Sequence, residues 1–200
     1  MSVLLKKVER FTYADYCKWD DGQRWELIDG EAYAMALSGV VHQRVLTKVV
    51  SRFGPFLEGK KCEVFVAPMD VRLNVDKGDD TVVQPDLLVV CDPKKIDKNS
   101  INGAPDLVVE ILSPSTLKYD KVQKYAKCKE AGVAEIWFVD PANSAVEVHK
   151  QESNQYSFSV YIGEDKITVD FLPEFEIDLQ DIFENSILEN TEEAQEKKEN

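Results

Sequence analysis

Asp86 and Glu110 are the residues of this chain best placed to do chemistry. Asp86 closes Gln84-Pro85-Asp86 at the mouth of the apolar run Leu87 to Cys91, and Glu110 lies late in the run Leu107 to Leu112. Continuous apolar runs of this length read as strands covered on both faces. An unpaired carboxylate there is costly and calls for a compensating cation. Magnesium takes oxygen ligands in octahedral geometry and usually binds one or two protein carboxylates, leaving its other positions to water and phosphate oxygens. Asp86 and Glu110 on adjacent strands would form such a half-open site for Mg2+ or Mn2+. The chemistry it suits is in-line phosphodiester hydrolysis, in which the ion polarises the phosphate, lowers the pKa of a bound water and steadies the departing oxygen. The competing reading is that Asp86 caps a turn after Pro85 and Glu110 meets a lysine or backbone donors, since structural ion pairs mimic active sites.

Other candidates weigh less. Asp106, in a second Pro-Asp pair, is separated from Glu110 by roughly 13 Å of strand, too far for one ion to span. Glu31, with Glu26, is a candidate auxiliary acid, although charged residues flanking a turn are commonly just solvated. His42 has the pKa range for phosphate orientation or acid-base work, against a packing role. Ser113 and Ser115 lack the G-x-S-x-G turn, and His149 has no evident acidic orienter, which excludes a serine hydrolase. None of the nine glycines falls in a phosphate-cradling grouping, so no nucleotide cofactor is implied.

These residues need a particular set of elements to position them. Thr12 caps a short helix running to Trp19. RWELIDGEAYAM reads as a hairpin turning at Asp29-Gly30, with Glu26, Ile28, Glu31 and Tyr33 on one face. From Ser38, apolar residues at Val41, Val45, Leu46, Val49, Val50 and Phe53 have helical spacing, and Gly59 supplies a stop. Met69, Val71, Leu73 and Val75 alternate as a half-buried strand. A lysine-rich helix over Thr116 to about Ala131 ends at Gly132, and Glu135 to Val139 is a further apolar strand. Strand, helix, strand in that order predicts a parallel pair with a right-handed crossover. Val146 to Val148 and Tyr156 to Tyr161 follow as more polar antiparallel strands.

QPDLLVV, GAPDLVVEILSPST and YDKVQKYAKCKEAGVAEIWFVDP, preceded by WELIDGEAYAM and by His42 on a helix, resemble the Uma2 family of restriction endonuclease-like proteins within the PD-(D/E)XK superfamily. The resemblance runs from about Trp25 to Pro141. It implies that Asp86 and Glu110 are the acidic pair of the motif. It also exposes a departure, because the lysine expected two residues after the second acid is replaced by Leu112, which cannot stabilise developing negative charge. Lys124 is the candidate substitute: the related sequences carry a lysine there, four residues after an aspartate matching Asp120, and the helix would carry it roughly 12 Å from its start near Thr116. Against this, Lys118, Lys121, Lys124 and Lys127 recur every third residue and read equally as a solvated face, or as a local basic patch for phosphate.

Composition bounds the rest. Two hundred residues suit a single domain with a hydrophobic core. The expected fold class is α/β: a restriction endonuclease-like mixed β-sheet flanked by helices, with a central strand-helix-strand unit. The domain is expected over residues 1–182 and an acidic, disordered tail over 183–200. The formal charge of −13 opposes non-specific binding to a polyanion, and the tail accounts for only part of it. The scattered Cys17, Cys62, Cys91 and Cys128 read as small core residues or inert thiols suited to a reducing compartment. With no apolar run long enough for a membrane span, a cytoplasmic protein with no membrane partner is expected. The functional expectation is a divalent-metal-dependent endonuclease acting on DNA, and the resemblance implies a homodimer. The alternative is a catalytically inactive nuclease-fold module that binds DNA or a protein partner.

Overall fold

The structure, a computed structural model, describes residues 9–153 and 155–184. Thr12 opens a short helix, α1 (Tyr13–Tyr16), with its amide and hydroxyl both bonded to Asp15 Oδ2. β1 (Trp25–Ile28) and β2 (Glu31–Ala34) form the hairpin read from the sequence. Asp29 and Gly30 both adopt positive φ, +50° and +79°, the tight-turn geometry that Asp-Gly pairs supply. The amphipathic helix α2 (Val40–Leu57) follows, then β3 (Glu63–Val66), β4 (Asp70–Arg72), β5 (Val82–Val83), β6 (Leu87–Val90), β7 (Ser100–Asn102) and β8 (Leu107–Ile111). A π-helical turn over Tyr119–Lys124 leads into α3 (Tyr125–Ala131), which ends at left-handed Gly132. β9 (Glu135–Asp140), β10 (Ala145–Glu152), β11 (Gln155–Ile162), β12 (Lys166–Thr168), β13 (Glu176–Asp178) and α4 (Leu179–Phe183) complete the chain.

The strands form two main sheets. The larger has the order β11-β10-β9-β8-β6-β3, and the smaller β2-β1-β5-β4-β7. β8 and β9 are parallel, joined by the π-turn and α3 as the strand-helix-strand pattern requires, and the other pairs of the large sheet are antiparallel. Alternation along β6 and β8 divides the core. Leu87, Val89, Leu107, Val109 and Ile111 pack with Val49 and Phe53 of α2 and with Ile182 of α4 on one face. Leu88, Val90, Val108 and Leu112 pack on the other face with Val71 and Val83 of the small sheet and Cys128 of α3. Strands covered on both faces explain the unbroken apolar runs.

Two sequence expectations change. Phe183, placed in the tail, is buried in the first of these cores, so packing extends through it; residues 185–200 lie outside the described residues. Cys62 and Cys91 form a disulfide, whereas Cys17 and Cys128 are free. Glu63 pairs with Val90 across β3 and β6, and continuing that register by one residue sets Cys62 opposite Cys91. Proximity arises from strand pairing across a separation of 29 residues, which no local spacing rule detects. A disulfide also removes the cysteine argument for a reducing compartment. Among the described residues no helix is long and apolar enough to cross a membrane.

Glu135 is buried, with Trp137 Nε1 donating to its Oε1 at 2.6 Å and Lys150 3.9 Å from its other oxygen. Burial pushes its pKa up from 4.5 to about 7, against the opposing effects of Trp137 and Lys150. A raised folded-state pKa gives a stabilisation that is complete below about 4.5 and lost as pH rises through about 7. Urea denaturation at acidic and mildly alkaline pH should show wild type losing up to about 3 kcal/mol more over this window than Glu135→Gln. Alkylation under denaturing conditions should label two cysteines without reductant and four with it.

Candidate active site

The chain passes from β5 of the small sheet to β6 of the large one through Gln84, Pro85 and Asp86. Leu87 faces Val109 and Leu88 faces Val108, so the register sets Asp86 opposite Glu110. Asp86 Oδ2 accepts the Ile111 amide at 2.8 Å, closing the ladder where β6 begins, and lies 3.0 Å from His42 Nε2 in the first turn of α2. Both contacts fall on one carboxylate oxygen. His42 is half-buried, and its Nδ1 makes no hydrogen bond among the described residues.

Glu110 is 4% exposed and Lys124 3%. The Lys124 ammonium sits 3.0 Å from Glu110, 3.0 Å from Glu26 of β1 and 3.6 Å from Asp120 one turn before it. Asp120 and Lys124, four residues apart, are the buried residues of the π-helical turn; single π-turns of this kind recur at functional sites. Burial raises the Glu110 pKa well above the ordinary carboxylate range, opposed by Lys124 and reinforced by Asp120, Asp86 and Glu26. Burial works against charge on Lys124 too, yet Glu110, Glu26 and Asp120 outweigh it and hold the ammonium protonated. Asp120 is likewise raised by burial.

These groups line a cleft of about 650 Å³ between α2, the hairpin and the π-turn. Its walls carry four carboxylates, Glu26, Asp86, Glu110 and Asp120, against Lys124 and Arg24. Glu110 Oε1 is buried and, despite its closeness to Lys124, accepts no well-directed hydrogen bond. A surplus of buried carboxylate over ammonium suits an added cation. Among the described residues no three or more His, Cys, Asp or Glu side chains gather in ligand geometry. A cation here would therefore rest on Asp86, Glu110 and water, the sparse protein ligation that Mg2+ accepts.

The candidates sort clearly. Asp86, Glu110, Lys124 and His42 converge on this cleft. Glu31 does not: it is exposed at the far end of the hairpin, bonded to Tyr33 Oη at 3.2 Å. Glu26, named second to it, occupies the cluster instead, because Glu26 pairs with Tyr33 two rungs deeper in the hairpin. Leu112 is buried in the core beneath. Asp106 Oδ2 accepts the Cys91 amide at 2.7 Å, away from the cleft. The lysine row is not a free basic patch, since Lys121 pairs with Glu147 and Lys127 with Asp29 and Glu130. Sequence reasoning missed Arg24 and Gln84, whose only signal was adjacency to Glu26 and Asp86.

Residues 13–180 match the model of the Uma2 family, described as "Putative restriction endonuclease". The chain belongs to the Uma2 family. Among curated proteins it is similar to two uncharacterized proteins of Synechocystis sp. With slr1290 it is 27% identical over 158 residues, 76% of this chain and 81% of that protein. With sll1609 it is 32% identical over 119 residues, 57% of this chain and 65% of that protein. A crystal structure from Anabaena variabilis, titled as a putative nuclease belonging to DUF820, superposes with a TM-score of 0.72 at 19% identity, covering 88% of this chain and 99% of that one. The fold of this Uma2 protein is thus the restriction endonuclease-like mixed α/β fold.

Removing the ammonium from this cluster leaves three buried carboxylates uncompensated. Lys124→Met should cost about 3–5 kcal/mol in urea denaturation, as expected for breaking a buried ion pair. Adding Glu110→Gln should recover more than about 1 kcal/mol of that loss, the coupling a double-mutant cycle isolates. A Lys124→Met cost below about 1 kcal/mol would show that the ion pairs do not support the fold.

Proposed function

We propose that this Uma2 protein is a divalent-metal-dependent endonuclease that hydrolyses DNA phosphodiester bonds in the cleft between α2 and the hairpin. The observation that carries this reading is one buried ammonium within 3.0 Å of Glu110, which lies opposite Asp86 across paired strands. The family description and the nuclease title of the Anabaena structure support it. Mg2+ or Mn2+ held by Asp86 and Glu110 would supply phosphate polarisation and a water of lowered pKa.

The protein's own groups have distinct tasks. Ile111 N–H and His42 fix the orientation of Asp86. Lys124, kept charged by its three carboxylates, supplies fixed positive potential beside Glu110 where negative charge would develop on the phosphate. It reaches from the helix side the position that Leu112 cannot serve from the strand. Held in a site with little water, such a preformed charge needs no reorganisation during reaction. Glu26 and Asp120 hold that ammonium in place.

The test is conversion of supercoiled plasmid in Mg2+ or Mn2+, with nicking and linearisation scored separately because a homodimer can cut both strands. Asp86→Asn and Glu110→Gln should each lower the rate at least about 100-fold, and Lys124→Met by a similar factor, in line with the loss of one preorganised electrostatic contact. Chelation should abolish cleavage. Absence of cleavage by the wild type, together with no heat of metal binding, would replace the nuclease by a catalytically silent interaction module.

A further inference from the structure

Among the described residues, only two permanent cations, Arg24 and Lys124, line the cleft. Lys124 is enclosed by carboxylates and nearly inaccessible, so it cannot capture a strand arriving from solvent. Arg24 is exposed at the rim. Its backbone carbonyl accepts the Met35 amide at 2.9 Å, which fixes it to the rung just beyond β1 and β2. Its Nε and one terminal nitrogen both donate to Gln84 Oε1, at 3.1 and 2.7 Å.

The partner's chemistry matters. An arginine forked onto a carboxylate is largely neutralised, whereas Gln84 offers a neutral amide oxygen and leaves the charge of Arg24 intact. Gln84 is itself buried and held by three further contacts. Its amide nitrogen donates to Asp70 Oδ1 at 2.9 Å and to Tyr16 Oη at 3.1 Å, and its backbone N–H donates to Glu26 Oε1 at 2.6 Å. With its NH2 group committed to Asp70, its carbonyl oxygen must face Arg24. Asp70 thus orients the guanidinium through one intervening amide without discharging it. Gln84 stands two residues before Asp86, so the same peptide that presents Asp86 also aims Arg24. A guanidinium has five N–H donors in a fixed fork, and two are used here, leaving a face suited to the non-bridging oxygens of a phosphodiester.

We propose that Arg24 is the residue that binds the DNA backbone phosphate at this cleft, with Gln84 as its positioning residue. This rests on the nuclease reading for the identity of the substrate. It also resolves how so acidic a chain holds a polyanion: one unneutralised cation at the rim takes the phosphate that the acidic cleft would otherwise repel.

The experiment is fluorescence anisotropy of a short fluorescein-labelled DNA duplex in EDTA buffer over a salt series, with wild type, Arg24→Gln and Arg24→Lys. Arg24→Gln should weaken binding about tenfold and lower the slope of log affinity against log salt by about one, the signature of one lost phosphate contact. Arg24→Lys should keep the wild-type slope and lose affinity only a few-fold. Wild-type slope in Arg24→Gln, or no duplex binding by the wild type, overturns the inference. Plasmid cleavage separates it from the nuclease reading. Cleavage by Arg24→Gln with unchanged KM removes the role of Arg24 and leaves the nuclease standing. Salt-dependent duplex binding through Arg24 by a protein that cuts nothing does the reverse. Because Arg24 is exposed, both variants should melt with the wild type; should Arg24→Gln misfold, Arg24→Met replaces it, with the same drop in slope expected and a wild-type slope overturning the inference.

Discussion

Lys124 is buried among Glu26, Glu110 and Asp120, and much else in the molecule follows from that placement. These acids come from the small sheet, the large sheet and the π-helical turn, so one ammonium joins three separate parts of the fold. Desolvating four ionisable groups is expensive, and their mutual attraction offsets that expense only when the geometry is tight. The backbone therefore has to deliver them accurately. Such an arrangement is a poor way to gain stability and a good way to hold charge in a fixed place, which is the requirement of electrostatic catalysis.

Much of this was legible in the sequence. The apolar runs around Leu87 and Leu107 named both central strands because burial on two faces leaves no alternation. Asp-Gly at 29 and 30 named the hairpin because few other pairs accept two positive φ angles in succession. Asp86 and Glu110 were conspicuous as charges inside apolar runs. Lys124 was harder. Nothing in its own neighbourhood separates it from Lys121 or Lys127, and only the pattern of related sequences did so.

What was not legible depended on contacts between distant segments. Glu31 and Glu26 flank the same hairpin and share a face in the simple strand reading. Which of them meets Lys124 is decided by how deep the hairpin seats against the π-turn, and periodicity carries no depth. The Cys62–Cys91 bridge depends on the pairing of β3 with β6, a contact between segments that no local pattern reveals. Of the small sheet, the hairpin and the strand around Val71 were legible, whereas β5 and β7, two and three residues long, were not.

Pro85 sits where the chain leaves one sheet for the other. Lacking an N–H, it cannot donate to either ladder, so the small-sheet ladder stops before it and the large-sheet ladder resumes at Asp86, whose carbonyl accepts the Ala67 amide at 3.2 Å. One side presents an amide that steadies a cation and the other a carboxylate, three positions apart counting both ends. The seam between the sheets and the site are consequently the same object. Any motion that slides one sheet over the other moves the positive and negative halves of the site relative to each other, so the rigidity of a single peptide sets how finely the two are matched.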